Sequence, residues 1–141
     1  MLTLKQIITV LHQKGHKVTP QRLAICEILF SYKSHPTADE IYKRVSQKFP
    51  TISLSTIYQT LNLLMKLGLI QELGFPNISS RYDANTSPHI HIICPKCGNT
   101  QDYEDKKFEE LWSKFITKLN FKPIGQRLEI YKYCDKCSKI G

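Results

Sequence analysis

Residues 53–68, SLSTIYQTLNLLMKLG, followed directly by LIQELGFPNISSRYD at 69–83, change period in mid-stretch, and that change decides the fold. Leu54, Ile57, Leu61, Leu64 and Met65 recur at helical spacing, Ser53 stands where the helix starts, and Gly68 stands where a left-handed residue would close it. Beyond Gly68 the pattern becomes that of a hairpin: a strand over Leu69 to Leu73, a turn at Gly74-Phe75-Pro76-Asn77, and a strand over Ser79 to Asp83. Working outward toward the N-terminus, three shorter helices are predicted. Leu4, Ile7, Ile8 and Leu11 define the first, which Gly15 ends. Pro20 occupies the first turn of the second, with Thr19 as its cap and Leu23, Ile25, Ile28, Leu29 and Phe30 on its apolar side. Thr37 and Glu40 form a capping box for the third, with Ala38, Ile41, Tyr42 and Val45 as its buried stripe and Pro50 beyond its end. Helices followed by a two-stranded hairpin outline a winged helix.

The last of these helices carries the first functional argument. With the core side assigned, Ser55, Tyr58, Gln59, Asn62 and Lys66 remain, a face of hydroxyl, amide and phenol groups with one charge. Such groups suit a recognition helix in the major groove, where Gln and Asn pair bidentately with adenine and hydroxyls reach phosphates. Ser55, Thr56, Tyr58, Gln59 and Asn62 are therefore candidate DNA contacts. Lys17 and Arg22, at the start of the second helix, add candidate phosphate or minor-groove contacts. Gln59 predicts an A·T-rich operator.

Overall charge agrees with a polyanionic partner. The 141 residues carry a formal charge of +8, with 10 basic against 5 acidic residues before position 84 and 10 against 7 after it. Double-stranded DNA is the expected partner. No apolar run reaches the eighteen or so residues of a membrane span. Lys5, Gln6 and Thr9 also interrupt the start as no signal segment would be, so a cytoplasmic location without membrane association is expected.

The C-terminal part has another rhythm. Ile90 to Cys94 and Thr100 to Tyr103 read as strands joined by the Cys94-Pro-Lys-Cys97-Gly98 knuckle. A helix over Lys106 to Leu119 presents Phe108, Leu111, Trp112, Phe115 and Leu119 on one side, and a strand over Arg127 to Cys134 ends at a second Cys pair. Four thiols at Cys94, Cys97, Cys134 and Cys137 are the number and type that close a tetrahedral structural zinc site. In a reducing compartment such pairs read as metal ligands rather than disulfides. A redox dithiol is the weaker reading, because neither pair is expected to open a helix after a strand in a thioredoxin-like context. Cys26, among Ala24, Ile25 and Leu29, reads as a small buried hydrophobe. On a strand, His89 and His91 share one face and Cys94 takes the other, so one segment can feed two metal sites. The fold class expected is α+β: a winged-helix DNA-binding domain over 1–83, then a small α/β zinc-binding domain over 84–141.

Several stretches carry a resemblance to a known family. Val18-Thr-Pro-Gln-Arg22, His35-Pro-Thr-Ala-Asp39-Glu-Ile-Tyr42, Ser53-Leu-Ser-Thr-Ile-Tyr58-Gln-Thr-Leu61, Ser80-Arg-Tyr-Asp83, His89-Ile-His91-Ile-Ile-Cys94 and Leu128-Glu-Ile-Tyr131 resemble the Fur family of metalloregulators, within it the peroxide-sensing PerR branch. The resemblance implies a hinge at the end of 1–83, a dimerisation role for 84–141, and a homodimer that binds an inverted-repeat operator when a regulatory metal is present, a regulator rather than an enzyme. It implies regulatory ligands at His35, Asp83, His89, His91 and Asp102, a set suited to Fe²⁺ or Mn²⁺. Asp102, where iron-sensing members usually have Glu, implies peroxide sensing by oxidation of His35 and His89. A metal held by both halves would act as a clamp on the hinge. Gln59 replaces an Arg common in the family. Two alternatives accompany this reading: an iron- or manganese-responsive repressor of metal uptake, and, from another class, a non-haem iron oxygenase.

Overall fold

The structure, a computed structural model, describes residues 2–31, 35–75, 78–85, 87–123 and 126–139. The chain divides into two compact units, Met1–Thr86 and Ser87–Gly141. In the first, α1 (Leu4–Gln13), α2 (Pro20–Ser31), α3 (Ala38–Lys48) and α4 (Leu54–Lys66) precede an antiparallel pair, β1 (Gln71–Phe75) and β2 (Ile78–Asp83). The winged-helix expectation is met, and the local chemistry explains why. Thr37 and Glu40 close the capping box of α3 at 3.2 and 3.1 Å. Thr19 accepts from the backbone N–H of Arg22 at 3.2 Å, with Pro20 as the first residue of α2. Ser53 caps α4 by accepting from Thr56 N–H, and Gly68 ends it at φ 71, a conformation that L side chains rarely adopt.

One core holds this unit together. Ile7, Leu11, Ile25, Leu29, Ile41, Val45, Ile57, Leu61, Leu64 and Ile70 are buried within it. Cys26 is buried there too, as expected, and desolvation pushes its thiol up to about 11.

Two expectations need correction. Leu54, assigned to the core side of α4, is 38% exposed. Thr60 takes the inward position instead, which it can do because its hydroxyl donates to the carbonyl of Thr56 at 3.0 Å and no polar hydrogen is stranded. In the wing, Leu69 and Ile70 are buried but precede the strand, and Gly74 and Phe75, expected in the turn, still belong to β1. A register irregularity between Leu73 and Phe75 accommodates them. Pro76 and Asn77, the rest of the expected turn, lie outside the described residues.

The second unit contains β3 (Ile90–Ile93), β4 (Thr100–Tyr103), α5 (Lys106–Thr117), β5 (Glu129–Tyr131) and α6 (Asp135–Ser138). Its sheet has the order β4-β3-β5, β3 pairing antiparallel with β4 and parallel with β5. The last strand is shorter than the predicted 127–134, three residues ladder-bonded to β3. Cys134 is the N-cap of α6, so the second Cys pair opens a one-turn helix beyond β5. Helix α5 is amphipathic, as its spacing predicts, and Asp105 caps it. Phe108, Trp112 and Phe115 line up along it with ring centroids 6.2 and 5.6 Å apart. None of its residues is fully buried. Among the described residues no helix is long and apolar enough to cross a membrane.

Candidate metal centres and nucleic-acid interface

The four thiols converge in the second unit. Parallel pairing of β5 on β3, extended by a hydrogen bond from Lys132 N–H to Ile93 carbonyl, delivers the chain to Cys134 beside the end of β3. The first knuckle is closed by Gly98 N–H to Cys94 carbonyl at 2.8 Å. The Sγ atoms of Cys94, Cys97, Cys134 and Cys137 all lie within 4.8 Å of one another. Cys97 and Cys134 stand 3.8 Å apart. Zinc–sulfur bonds of about 2.3 Å in a tetrahedron give an edge of about 3.8 Å, so the set fits Zn²⁺. Electrostatics point the same way. The backbone N–H of Cys134, foremost among several donors, lowers the Cys94 thiol to about 6, and hydrogen bonding with Cys137 lowers Cys134. Cys137, crowded by Cys134 and its neighbours, is pushed up to about 12. Four sulfurs converging on one point, rather than two in a pair, are the arrangement of a metal site rather than of a disulfide.

The second donor group of this unit lies across the β3–β4 ladder. His91 sits directly opposite Asp102 in the register, and their side chains meet at 3.6 Å from Nε2 to Oδ1. His89 Nε2 is 2.9 Å from His91 Nε2 and 3.5 Å from the same Asp102 oxygen. The other nitrogen of His89, Nδ1, is 2.6 Å from the carbonyl oxygen of Ser87. A carbonyl can only accept, so Nδ1 carries the proton and Nε2 offers its lone pair. Bonds of about 2.1 Å place neighbouring donor atoms about 3.0 Å apart at right angles and about 3.4 Å apart in a tetrahedron, so spacings of 2.9, 3.5 and 3.6 Å suit donors around one cation, and it is the nitrogen and carboxylate donor types that suit Mn²⁺ or Fe²⁺.

The first unit holds its own pair. Between α2 and α3 the chain runs along β2: Tyr82 N–H donates to Pro36 carbonyl at 3.0 Å, Arg81 Nη1 donates to His35 carbonyl at 2.9 Å, and Thr37 bridges to Arg81. This lays buried His35 beside buried Asp83, Nε2 to Oδ2 at 3.5 Å. Asp83 Oδ1 accepts from Asn85 N–H at 2.9 Å, which fixes the carboxylate and turns Oδ2 toward His35. Arg81 and the Ser87 carbonyl, which hold His35 and His89 in place, were not singled out from sequence. A backbone carbonyl has no sequence signal, and Arg81 read only as part of a strand.

On the DNA-facing candidates, Ser55, Tyr58, Gln59 and Asn62 are exposed on α4 and Lys17 is exposed ahead of α2. Two are more occupied than expected. Thr56 is half-buried, its hydroxyl 2.9 Å from that of Ser53. Arg22 is half-buried as well, its Nη1 donating to the carbonyl of Lys17 at 2.7 Å, which ties the loop to α2.

A winged helix, a separate small sheet unit, a four-thiol group and histidine–carboxylate groups define a metal-binding regulator of the DNA-binding winged-helix class. The chain belongs to the Ferric uptake regulator family, whose model matches residues 13–131. It is 42% identical over 138 residues to a peroxide-responsive repressor, PerR, of Staphylococcus epidermidis, covering 98% of this chain and 92% of that one. Among solved structures it resembles the Campylobacter jejuni peroxide stress regulator, with 32% identity, a TM-score of 0.71 and coverage of 97% and 100% of the two chains. It also resembles the Helicobacter pylori ferric uptake regulator, described with three functional metal-binding sites, at 27% identity, a TM-score of 0.77 and coverage of 97% and 95%. These relatives are regulators, in keeping with the expectation that the chain is not an enzyme.

Proposed function

We propose that this protein is a metal-dependent repressor that releases its operator after peroxide oxidises it. The observation that carries the reading is the composition of the donor groups outside the Cys cluster: imidazoles and carboxylates at His35, Asp83, His89, His91 and Asp102, with no thiol among them. We assign the four cysteines to structural Zn²⁺ and these five residues to one regulatory Fe²⁺ or Mn²⁺. Nitrogen and carboxylate oxygen suit those ions, whereas thiolates suit zinc. The division 1–83 and 84–141 then separates DNA binding from dimerisation, with the regulatory residues drawn from both halves.

Fe²⁺ held by these residues would activate peroxide beside its own ligands: one peroxide oxygen would enter a ring C–H bond as the imidazole gives up two electrons, and the other would leave as water. His35 and His89 are the rings that gain an oxygen atom. His89 is presented with Nε2 inward by the Ser87 carbonyl, and a ring with added oxygen loses that donor. Weaker metal binding removes the ligand that favours the DNA-competent hinge state, and operator affinity falls. The 42% identity to a protein named as a peroxide-responsive repressor supports this reading.

A homodimer on an inverted repeat follows the same assignment, as does a cytoplasmic location. Leu111, Phe115, Ile130, Tyr131 and Tyr133 are apolar or aromatic and exposed on the second unit, a surface suited to a second copy. Ser55, Thr56, Tyr58, Gln59 and Asn62 would enter the major groove, with Gln59 biasing the operator toward A·T pairs and Lys17 and Arg22 near phosphates.

The deciding experiment compares Mn²⁺- and Fe²⁺-loaded protein on a selected operator, each with and without stoichiometric peroxide, followed by peptide mass analysis. We expect the Fe²⁺ form alone to lose affinity and to gain 16 Da, the mass of one oxygen atom, on the His35 or His89 peptides. An Fe²⁺ form that keeps its affinity with unmodified peptides refutes peroxide sensing. Metal dependence surviving that result would instead favour the metal-uptake repressor.

A further inference from the structure

Leu54 is the one apolar residue of α4 whose environment contradicts its chemistry. It is the first residue of the helix, 38% exposed, and lies outside the buried core of its unit. Four positions on, Tyr58 is 43% exposed. Residues at this spacing are neighbours on a helix surface, so the two form a short apolar ridge at the N-terminal end of α4. Exposed Ser55, Gln59 and Asn62 share the outward side.

An exposed leucine on a surface is ordinary when isolated. This one stands at the end of the helix whose outward side is otherwise built for base edges, and in helix-turn-helix docking the N-terminal residues of the recognition helix are those that reach the bases. The chemistry a leucine recognises there is the 5-methyl group of thymine, the only apolar feature of the major-groove edge. We infer that Leu54 is a specificity-determining residue that reads a thymine methyl in each operator half-site, beside the polar readout by Gln59. This inference rests on the DNA-binding reading above. It adds a second, independent source of A·T preference, one that depends on a methyl group rather than on hydrogen bonds.

The test uses the full-length Mn²⁺-loaded protein and a duplex that the protein itself selects from a random pool. Each thymine is then replaced singly by uracil, which deletes the methyl and leaves every hydrogen-bonding group. For the unaltered protein, at least one position per half-site should weaken binding by about fourfold, the size expected for one buried methyl. Leu54→Ala should bind the all-thymine duplex more weakly by a similar factor and lose the thymine–uracil discrimination at that position alone. Leu54→Thr, which restores a methyl, should recover part of it. Because Leu54 lies outside the buried core and far in sequence from the four cysteines, zinc content should not change in either variant and the unfolding midpoint should fall only slightly. Equal uracil penalties at every position in the unaltered protein and Leu54→Ala would overturn the inference while leaving DNA binding intact. A protein that retains no duplex from the pool in any metal state would overturn the DNA-binding reading, and the inference with it.

Discussion

The Nε2 atoms of His89 and His91 lie 2.9 Å apart, and the ring of His89 is turned to that position by the Ser87 carbonyl on its far side. Alternating geometry at the start of β3 brings the two rings together, and register supplies Asp102 from β4 opposite His91. Two buried imidazoles and a carboxylate arranged this way contribute no apolar burial, so their worth lies in what they bind.

His91→Ala should therefore separate the two metals. Removing an inner ligand should weaken regulatory-metal binding by more than the ~10–100-fold typical of losing an outer-shell partner, and metal-dependent operator binding should disappear. Zinc should remain at one equivalent, because no cysteine is touched. Metal analysis after dialysis, alongside fluorescence anisotropy with Mn²⁺, checks both. Loss of zinc in this variant would mean that the two donor groups are not independent.

Cys134→Ser should do the reverse. In a unit whose helix α5 has no fully buried residue, the four-thiol group is the main tie between β5 and β3 apart from three paired residues. Structural zinc contributes on the order of 10 kcal/mol to small domains that depend on it. Hydrogen exchange should thus rise throughout peptides covering 90–103 and 127–138, while α2 to α4 keep their protection. Uniform protection in the zinc-free variant would show that the sheet holds without metal.

How much of this was readable beforehand depended on whether the cause was local. Caps at Thr19, Thr37 and Ser53, the stop at Gly68 and the burial of Cys26 follow from short-range spacing and were legible; each Cys pair was legible too, but the parallel pairing of β5 on β3 is what brings the two pairs together. Leu54 was misassigned because periodicity records which residues could face inward, not where a core ends. At the first turn of α4 the core has run out, and further along a self-satisfied Thr60 fills the inward position. β5 shrank to three residues because strand length is set by how far β3 extends beside it, a long-range fact. For the donor groups, residue types were visible, but the Ser87 carbonyl and the Asn85 N–H that orient His89 and Asp83 are backbone atoms and carry no sequence signal.

Stability at high pH should fall in a way traceable to two acids. Burial, with a lesser lowering by Arg22 and raising by Glu27, lifts Cys26 from 9.0 to about 11. Burial, followed by Glu72 and Tyr58, lifts Tyr82 from 10.0 to about 12. Both native states prefer the neutral form, so their contribution is complete below pH 9. As pH rises the unfolded chain ionises first and binds fewer protons than the native one, and stability declines from 9 to 11 for Cys26 and from 10 to 12 for Tyr82. For Cys26 the loss is on the order of 2–3 kcal/mol. Urea midpoints at pH 8 and 10.5 should differ less in Cys26→Ala than in the unaltered protein, and an unchanged difference would contradict the assignment. For the same reason Cys26 should resist alkylation at neutral pH until the unit unfolds.

The second unit makes the last prediction. Leu111 and Phe115, four residues apart on α5, are 66% and 51% exposed, and Ile130, Tyr131 and Tyr133 are likewise exposed. A unit with this much apolar surface left open is stable in water once another surface covers it, and the family's dimers supply a second copy as the occupant. Phe115→Glu places a charge in that surface and replaces no residue of either donor group. It should shift the protein from dimer to monomer in sedimentation at micromolar concentration, with zinc retained. Operator affinity should fall steeply, because a monomer engages one half-site and forfeits an effective-concentration gain of about 10²–10⁴. Persistence of a tight dimer in this variant and in Leu111→Glu would place the dimer interface elsewhere and leave this apolar side of α5 for another partner.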